Sequence, residues 1–269
     1  MKAVRVTAQA KGTFDIAPLP LPAIQRKGVT AADAYRRQST GENAGIVFNP
    51  NASDAVRAIV LSDGNFKGLA SHPGALLTFV ISGELVIDAA PAKSVTLVPG
   101  DILFTDEQSA AKVTVVAKNR CRLVQIGVAA EWPGPNAEIQ ESGTINPRVG
   151  SEPTIWRINK GDDDKAYRVN FTGLFPEAPD QWSTPRPITG FRMLCWEGGS
   201  MDYHPTVTNQ FAVISAGELE VESGGDGAVS IFRAGDISLA TDKTGEGHIN
   251  RVRGTLFVTI MVMDTEHLW

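Results

Sequence analysis

His204 and His248 are the side chains of this sequence best placed to do chemistry. His204 ends the polar, glycine-bearing segment GGSMDYH, just before the apolar run QFAVISAG. His248 arrives after the glycine-rich loop TDKTGEG. Imidazole titrates near neutral pH and is the commonest protein ligand of transition metals. Thr206 and Gln210 lie just beyond His204, and strand alternation puts His204 and Thr206 on one face. Two neutral imidazoles and the Gln210 carboxamide oxygen can hold a divalent ion weakly, since imidazole suits zinc, iron, nickel or copper. Without an ion, His204 or His248 can serve as general acid or base, with Thr206 and Gln210 orienting a carbonyl. A third reading keeps both histidines as hydrogen-bonded core residues. All three stay open at this point.

The loop TDKTGEGH also reads in two ways. Gly245 and Gly247 supply positive φ for a long turn, and Asp242 caps that turn through its side chain. Alternatively Asp242 or Glu246 reaches the pocket, orients His248 and contacts a ligand. Other groups read more simply. Asp162, Asp163 and Asp164 lack the spaced ligands and distal glutamate of a calcium loop and form a solvated hairpin turn. Trp156, Trp182 and Trp196 pack the second half. Tyr203 points away from its neighbour His204, and His267 is exposed near the end of the chain. Ser-His-Asp, P-loop, GxGxxG and CxxC arrangements are absent.

The elements that must carry these residues are short strands. AVRAIVLSDG, LLTFVISGELVIDAA, KSVTLVPGDILFTDE, AAKVTVVA and CRLVQIGVAA follow one another with Gly, Pro, Asn and Asp at their ends, which predicts an antiparallel sandwich or barrel. Before them, a strand is expected at 3–7, an extended arm at Pro18, Pro20 and Pro22, and a short helix over 31–38 capped by Thr30. A proline- and glycine-rich linker covers 131–153, and a second strand series begins at Thr154. The two series repeat: ISGELVI around Gly83 matches SAGELEV around Gly217, and VPGDILFTDE around Gly100 matches RAGDISLATDK around Gly235. The duplication gives domains at 1–130 and 154–269. In GELEVE, Leu219 and Val221 face the core while Glu218, Glu220 and Glu222 face water.

Composition narrows the class. The chain has 269 residues, 42% apolar and 20% charged, with a formal charge of −5, the balance of a globular protein. The acidic sum and the lack of a Lys/Arg cluster argue against a nucleic-acid surface. No run approaches the ~20 apolar residues of a membrane span. The N-terminus lacks the apolar core of a signal peptide, so a cytoplasmic location is expected. Cys121 and Cys195 lie in apolar strands and read as buried free thiols.

The spacing Gly198, His204, Thr206, Gln210, Gly217 resembles the first motif of the cupin superfamily, G-x5-H-x-H-x3,4-E-x6-G. Gly235 and Asp236 open a segment similar to the second cupin motif, and His248 takes its histidine place. The second half is also similar to small single-domain cupins of largely unassigned function, which carry an H-P-x4-Q-Y/F strand and a T-G-K-G-H-like loop. The resemblance implies an all-β fold, two double-stranded β-helix barrels in tandem, with a C-terminal site of His204, His248 and Gln210. Thr206 and Gln210 replace the usual second histidine and the glutamate, and Val252 stands where an asparagine often follows the last histidine. In the first half, His72 keeps the first position only roughly, Leu76 replaces the acid and Val113 falls near the last histidine, so that copy has lost its site. The implied function is a small-molecule enzyme: a dioxygenase, isomerase or lyase using one divalent metal (Fe, Ni, Zn or Mn). The alternative is a non-catalytic ligand-binding or structural bicupin. Thr206, Asp242 and Glu246 are the expected substrate contacts. A homodimer paired through edge strands and a single chain mimicking such a dimer are both compatible with the resemblance.

Overall fold

The computed structural model describes residues 1–9, 13–27, 55–71, 73–89, 93–129, 132, 152–171 and 173–263. His72, His267, the helix expected over 31–38 and most of the expected linker lie outside them. The described chain is built of strands, as alternating apolar and polar residues between turn formers dictate. In the first half these are β1 (Ala3–Ala8), β2 (Phe14–Pro18), β3 (Ala23–Lys27), β4 (Ala55–Leu61), β5 (Gly64–Lys67), β6 (Ala75–Ala89), β7 (Lys93–Leu97), β8 (Ile102–Thr105) and β9 (Thr114–Val128). In the second half they are β10 (Ile155–Lys160), β11 (Ala166–Asn170), β12 (Arg186–His204), β13 (Gln210–Ser223), β14 (Val229–Phe232), β15 (Ile237–Ala240) and β16 (His248–Met263).

The pairing repeats from half to half. β6 pairs antiparallel with β7, β8 and β9, and β13 does so with β14, β15 and β16. β1 runs parallel to β8 and β10 parallel to β15. The repeated Gly-Asp turn has a structural task in both copies. The Asp101 carboxylate accepts from the backbone N–H groups of Lys2 and Val98, and that of Asp236 from Thr154 and Arg233. Each aspartate thereby ties the first strand of its half to the barrel.

Each barrel has its own apolar interior. Val80, Leu85, Ile87, Val113, Val115 and Leu123 fill the first. Leu194, Trp196, Ile214, Leu219, Val221 and Val252 fill the second. A third cluster is shared: Phe79, Ile81 and Val124 pack with Phe191, Phe211 and Met261. The contact between barrels is reciprocal. A Cβ on Gly100 would lie 2.3 Å from the Ser215 carbonyl oxygen, and one on Gly235 2.3 Å from that of Ile81. The two halves thus meet through matching positions of the repeat.

Three expectations change. Glu107–Lys112 is a helix, α1, where one strand segment was expected to end at Glu107 and the next to begin at Ala110. The Asp106 side chain accepts from Ser109 N, satisfying one orphan amide, and the alanines that follow suit a helix. Trp182 packs against the first barrel, opposite Ile59, and not in the second. The glutamates of β13 do lie on its outer side, but they are paired and not simply solvated. Arg251 and Arg253 both reach Glu220, Arg251 also reaches Glu222, and Arg233 reaches Glu218, at 2.7–2.9 Å. Glu220 is only 9% exposed.

Candidate functional site

The ends of β12 and β16 build the site. His204 and His248 are cross-strand partners. Met201 and His204 are three residues apart and would face opposite sides of a regular strand. A register shift between them in the β12–β16 ladder brings both to the inner face. On β16, His248, Asn250 and Val252 alternate inward, while Arg251 and Arg253 join the ion pairs outside.

The two imidazole rings lie 4.7 Å apart between centroids, tilted by 51°, and are 7% and 5% exposed. Each ring is held through Nδ1. His248 Nδ1–H donates to Asp242 Oδ2 at 2.7 Å, and His204 Nδ1–H donates to the Asp202 carbonyl at 2.7 Å. A carboxylate and a carbonyl can only accept, so each ring carries a proton on Nδ1, and in the neutral tautomer its lone pair sits on Nε2. Those Nε2 atoms turn towards one point: Asn250 Nδ2 lies 3.5 Å from that of His204 and 3.3 Å from that of His248. Burial, and then the proximity of His248, push the pKa of His204 below the usual histidine value. Both causes favour its neutral form.

The glycine-rich loop clamps this geometry. Gly247 has φ +79, and a Cβ there would lie 2.1 Å from the carbonyl carbon of His204. Thr206 N–H donates to the Asp242 carbonyl, Gly224 N–H to Gly247, and Glu246 N–H to Asp164. Asp242 is fully buried, and its orientation of His248 goes beyond turn capping. Glu246 is exposed. Thr206 is buried, with its hydroxyl donated to the Thr208 carbonyl at 2.8 Å. Gln210 pairs in register with Ala240, two residues before Asp242. No hydrogen bond among the described residues joins its side chain to either histidine.

Asn250 was missed by sequence reasoning. The motif directs attention to Val252, and only the alternation 248, 250, 252 could have placed an amide beside His248. The first barrel carries different residues at the same position. Val115 faces Ile87 as Asn250 faces Val221, and Ala117 faces Leu85 as Val252 faces Leu219. Valines 113 and 115 therefore take the places of His248 and Asn250. Leu69, whose carbonyl accepts from the Gln125 amide at 3.0 Å, belongs to the same apolar cluster as these valines. Among the described residues, no group of three or more His, Cys, Asp and Glu side chains is arranged to hold a metal. Elsewhere, a cavity of about 470 Å³ is lined by Arg122, Glu152, Trp156, Asn170, Phe171 and others; it contains no histidine. No helix among the described residues is long and apolar enough to cross a membrane.

No protein-family model matches the chain, and no curated protein matches it in sequence. Solved structures do. A protein of unknown function from Pseudomonas syringae pv. tomato is 15% identical with TM-score 0.36, covering 98% of this chain and 100% of that one. A cupin 2 conserved barrel domain protein from Leptotrichia buccalis is 14% identical with TM-score 0.36, covering 80% and 86%. The formate complex of Lactobacillus farciminis oxalate decarboxylase is 14% identical with TM-score 0.30, covering 80% and 78%. The repeated strand order, with β1–β8 and β10–β15 parallel and the long β6–β9 and β13–β16 ladders antiparallel, makes this chain an all-β protein of two tandem barrels with the same strand pairing.

Proposed function

We propose that the C-terminal barrel is the site of a small-molecule enzyme acting on a modest organic acid, carbonyl or aromatic metabolite. The observation that carries this reading is the convergence of two Nε2 lone pairs whose partner nitrogens are both fixed by acceptors. That donor set fits a divalent transition ion: imidazole nitrogens are common ligands of such ions, and the Asp242 carboxylate behind His248 fixes its ring orientation and tautomer. Iron, nickel, zinc or manganese held there would polarise a substrate oxygen as a Lewis acid. His204 and His248 would bind it through Nε2, with Asp242 and the Asp202 carbonyl fixing the rings. Without an ion, the Nε2 lone pair of His204, whose neutral form is favoured by burial, can instead take a proton from a bound substrate. Dioxygenation, isomerisation and lyase chemistry all fit such a centre.

Metal analysis of protein purified without a histidine tag tests the reading. About one equivalent of Fe, Ni, Zn or Mn is expected, lost in His204→Ala and in His248→Ala. Metal-free wild-type protein, with stability and ligand binding unchanged in both variants, would refute it. A second reading, a binding barrel without catalysis, draws on the near-complete burial of both rings. It expects wild-type protein to bind small organic acids without metal or turnover, and both variants to lose that binding.

A further inference from the structure

We infer that Asn250 is the third donor of this site, its amide oxygen joining Nε2 of His204 and Nε2 of His248 around one divalent ion. This rests on the metal reading just given. The distances carry it. Asn250 Nδ2 stands 3.3 Å from His248 Nε2 and 3.5 Å from His204 Nε2. Both are long for a hydrogen bond, which settles at about 2.9–3.0 Å from nitrogen. They are the right length for neighbouring ligands: donors about 2.1 Å from a shared ion at a tetrahedral angle are about 3.4 Å apart.

The amide is suited to both states. Its oxygen and nitrogen ends have nearly the same shape, and a half turn about χ2 exchanges them. With no ion, the NH2 group faces both Nε2 atoms and can donate towards their lone pairs in the Nδ1-protonated tautomer. With an ion, Oδ1 takes the same place. Asp242 supplies a second observation. Its carboxylate is fully buried, and Oδ1 has no hydrogen-bond partner among the described residues. Its ion-pair partner is His248 alone among those residues. A buried carboxylate that accepts from the far nitrogen of an imidazole is the usual support of a metal-binding histidine. The first barrel supplies a third. Val113 and Val115 replace the histidine and the asparagine together, as expected if the two belong to one unit.

Titration with cobalt(II) alone tests the proposal, read by affinity and by the visible absorption of the bound ion. The wild-type chain is expected to bind one equivalent. Asn250→Ala should bind at least tenfold more weakly with an altered spectrum. Asn250→Asp, which supplies an anionic oxygen at the same place, should bind at least tenfold more tightly, also with an altered spectrum. Wild-type affinity and spectrum in Asn250→Ala, with binding still lost in His204→Ala, would overturn the role of Asn250 and leave the metal reading standing. No cobalt binding by the wild-type chain would overturn both. If Asn250→Ala does not fold, Asn250→Asp decides alone: unchanged or weaker binding overturns the proposal.

Discussion

Asp106 and Asp242 follow the same strand in the two barrels and serve different ends. Asp106 caps the short helix α1. Asp242 is buried under a loop with no helix and holds His248 by Nδ1. The difference lies in what comes next: EQSAAK can wind into a helical turn, whereas KTGEG cannot without losing stability at each glycine. Asp242→Asn tests the orienting role. An asparagine can turn its NH2 group to Nδ1 and force the imidazole proton onto Nε2, removing the lone pair that faces the site. Cobalt(II) affinity should fall about 10- to 100-fold. Urea unfolding of the metal-free protein should show a loss of about 1–3 kcal/mol. Unchanged affinity would show that His248 needs no such partner. Histidine 204, histidine 248 and Asp242 were all legible as residue types at spacings. Asn250 was not, because its relevance depends on which face of β16 looks inward. Cys121 was read correctly as an inert buried thiol: burial, with nearby Asp63 and Glu84, pushes its pKa up to about 12.

At the scale of elements, the register shift near His204 and the loop above it decide the site. The shift turns His204 to the same side as Met201, and Gly247 lets the loop lie directly on the His204 backbone. Gly247→Ala should therefore disturb more than local conformation. Gly254 is the control. It has φ +75 with nothing within 4 Å of a Cβ, whereas Gly247 has φ +79 and His204 at 2.1 Å. Gly254→Ala incurs only the left-handed backbone cost, roughly 1–2 kcal/mol. Gly247→Ala adds overpacking of about 1–3 kcal/mol and should also weaken metal binding. Equal unfolding midpoints for the two variants, with metal binding intact, would disprove this clamp. The sequence showed that the loop contained turn glycines. It did not show that one of them touches the backbone of a histidine over forty residues away.

For the whole molecule, the halves exchange arms. β3 of the first half pairs parallel with Met193–Glu197 of β12. In return, Asp180 N–H donates to the Val60 carbonyl at 2.8 Å and Ser183 N–H to that of Ala58 at 2.7 Å, and Arg186 and Pro187 pair with Val56 and Ala55 of β4. The chain thereby joins its two halves through segments that each lends to the other. The fragment 154–269 lacks β3 and exposes Phe191, Phe211, Val213 and Met261 of the shared cluster. An apolar patch of that kind drives association. Size-exclusion chromatography should find the fragment self-associated or insoluble. A monomeric fragment that unfolds at the midpoint of the full chain would contradict the exchanged-arm account.

By itself the sequence determined the strand-rich fold and the repeat of its strand pairing. Alternation, turn residues and the matched Gly83/Gly217 and Gly100/Gly235 signatures are local properties, readable from neighbours along the chain. Tertiary structure decided what depends on contacts between distant segments: the exchanged arms, the place of Trp182, the Arg–Glu pairs along β13 and the meeting of two Nε2 atoms at Asn250. Side-chain direction on a strand changes with a single residue of register. That register is fixed by pairing across the barrel, which no stretch of sequence carries alone.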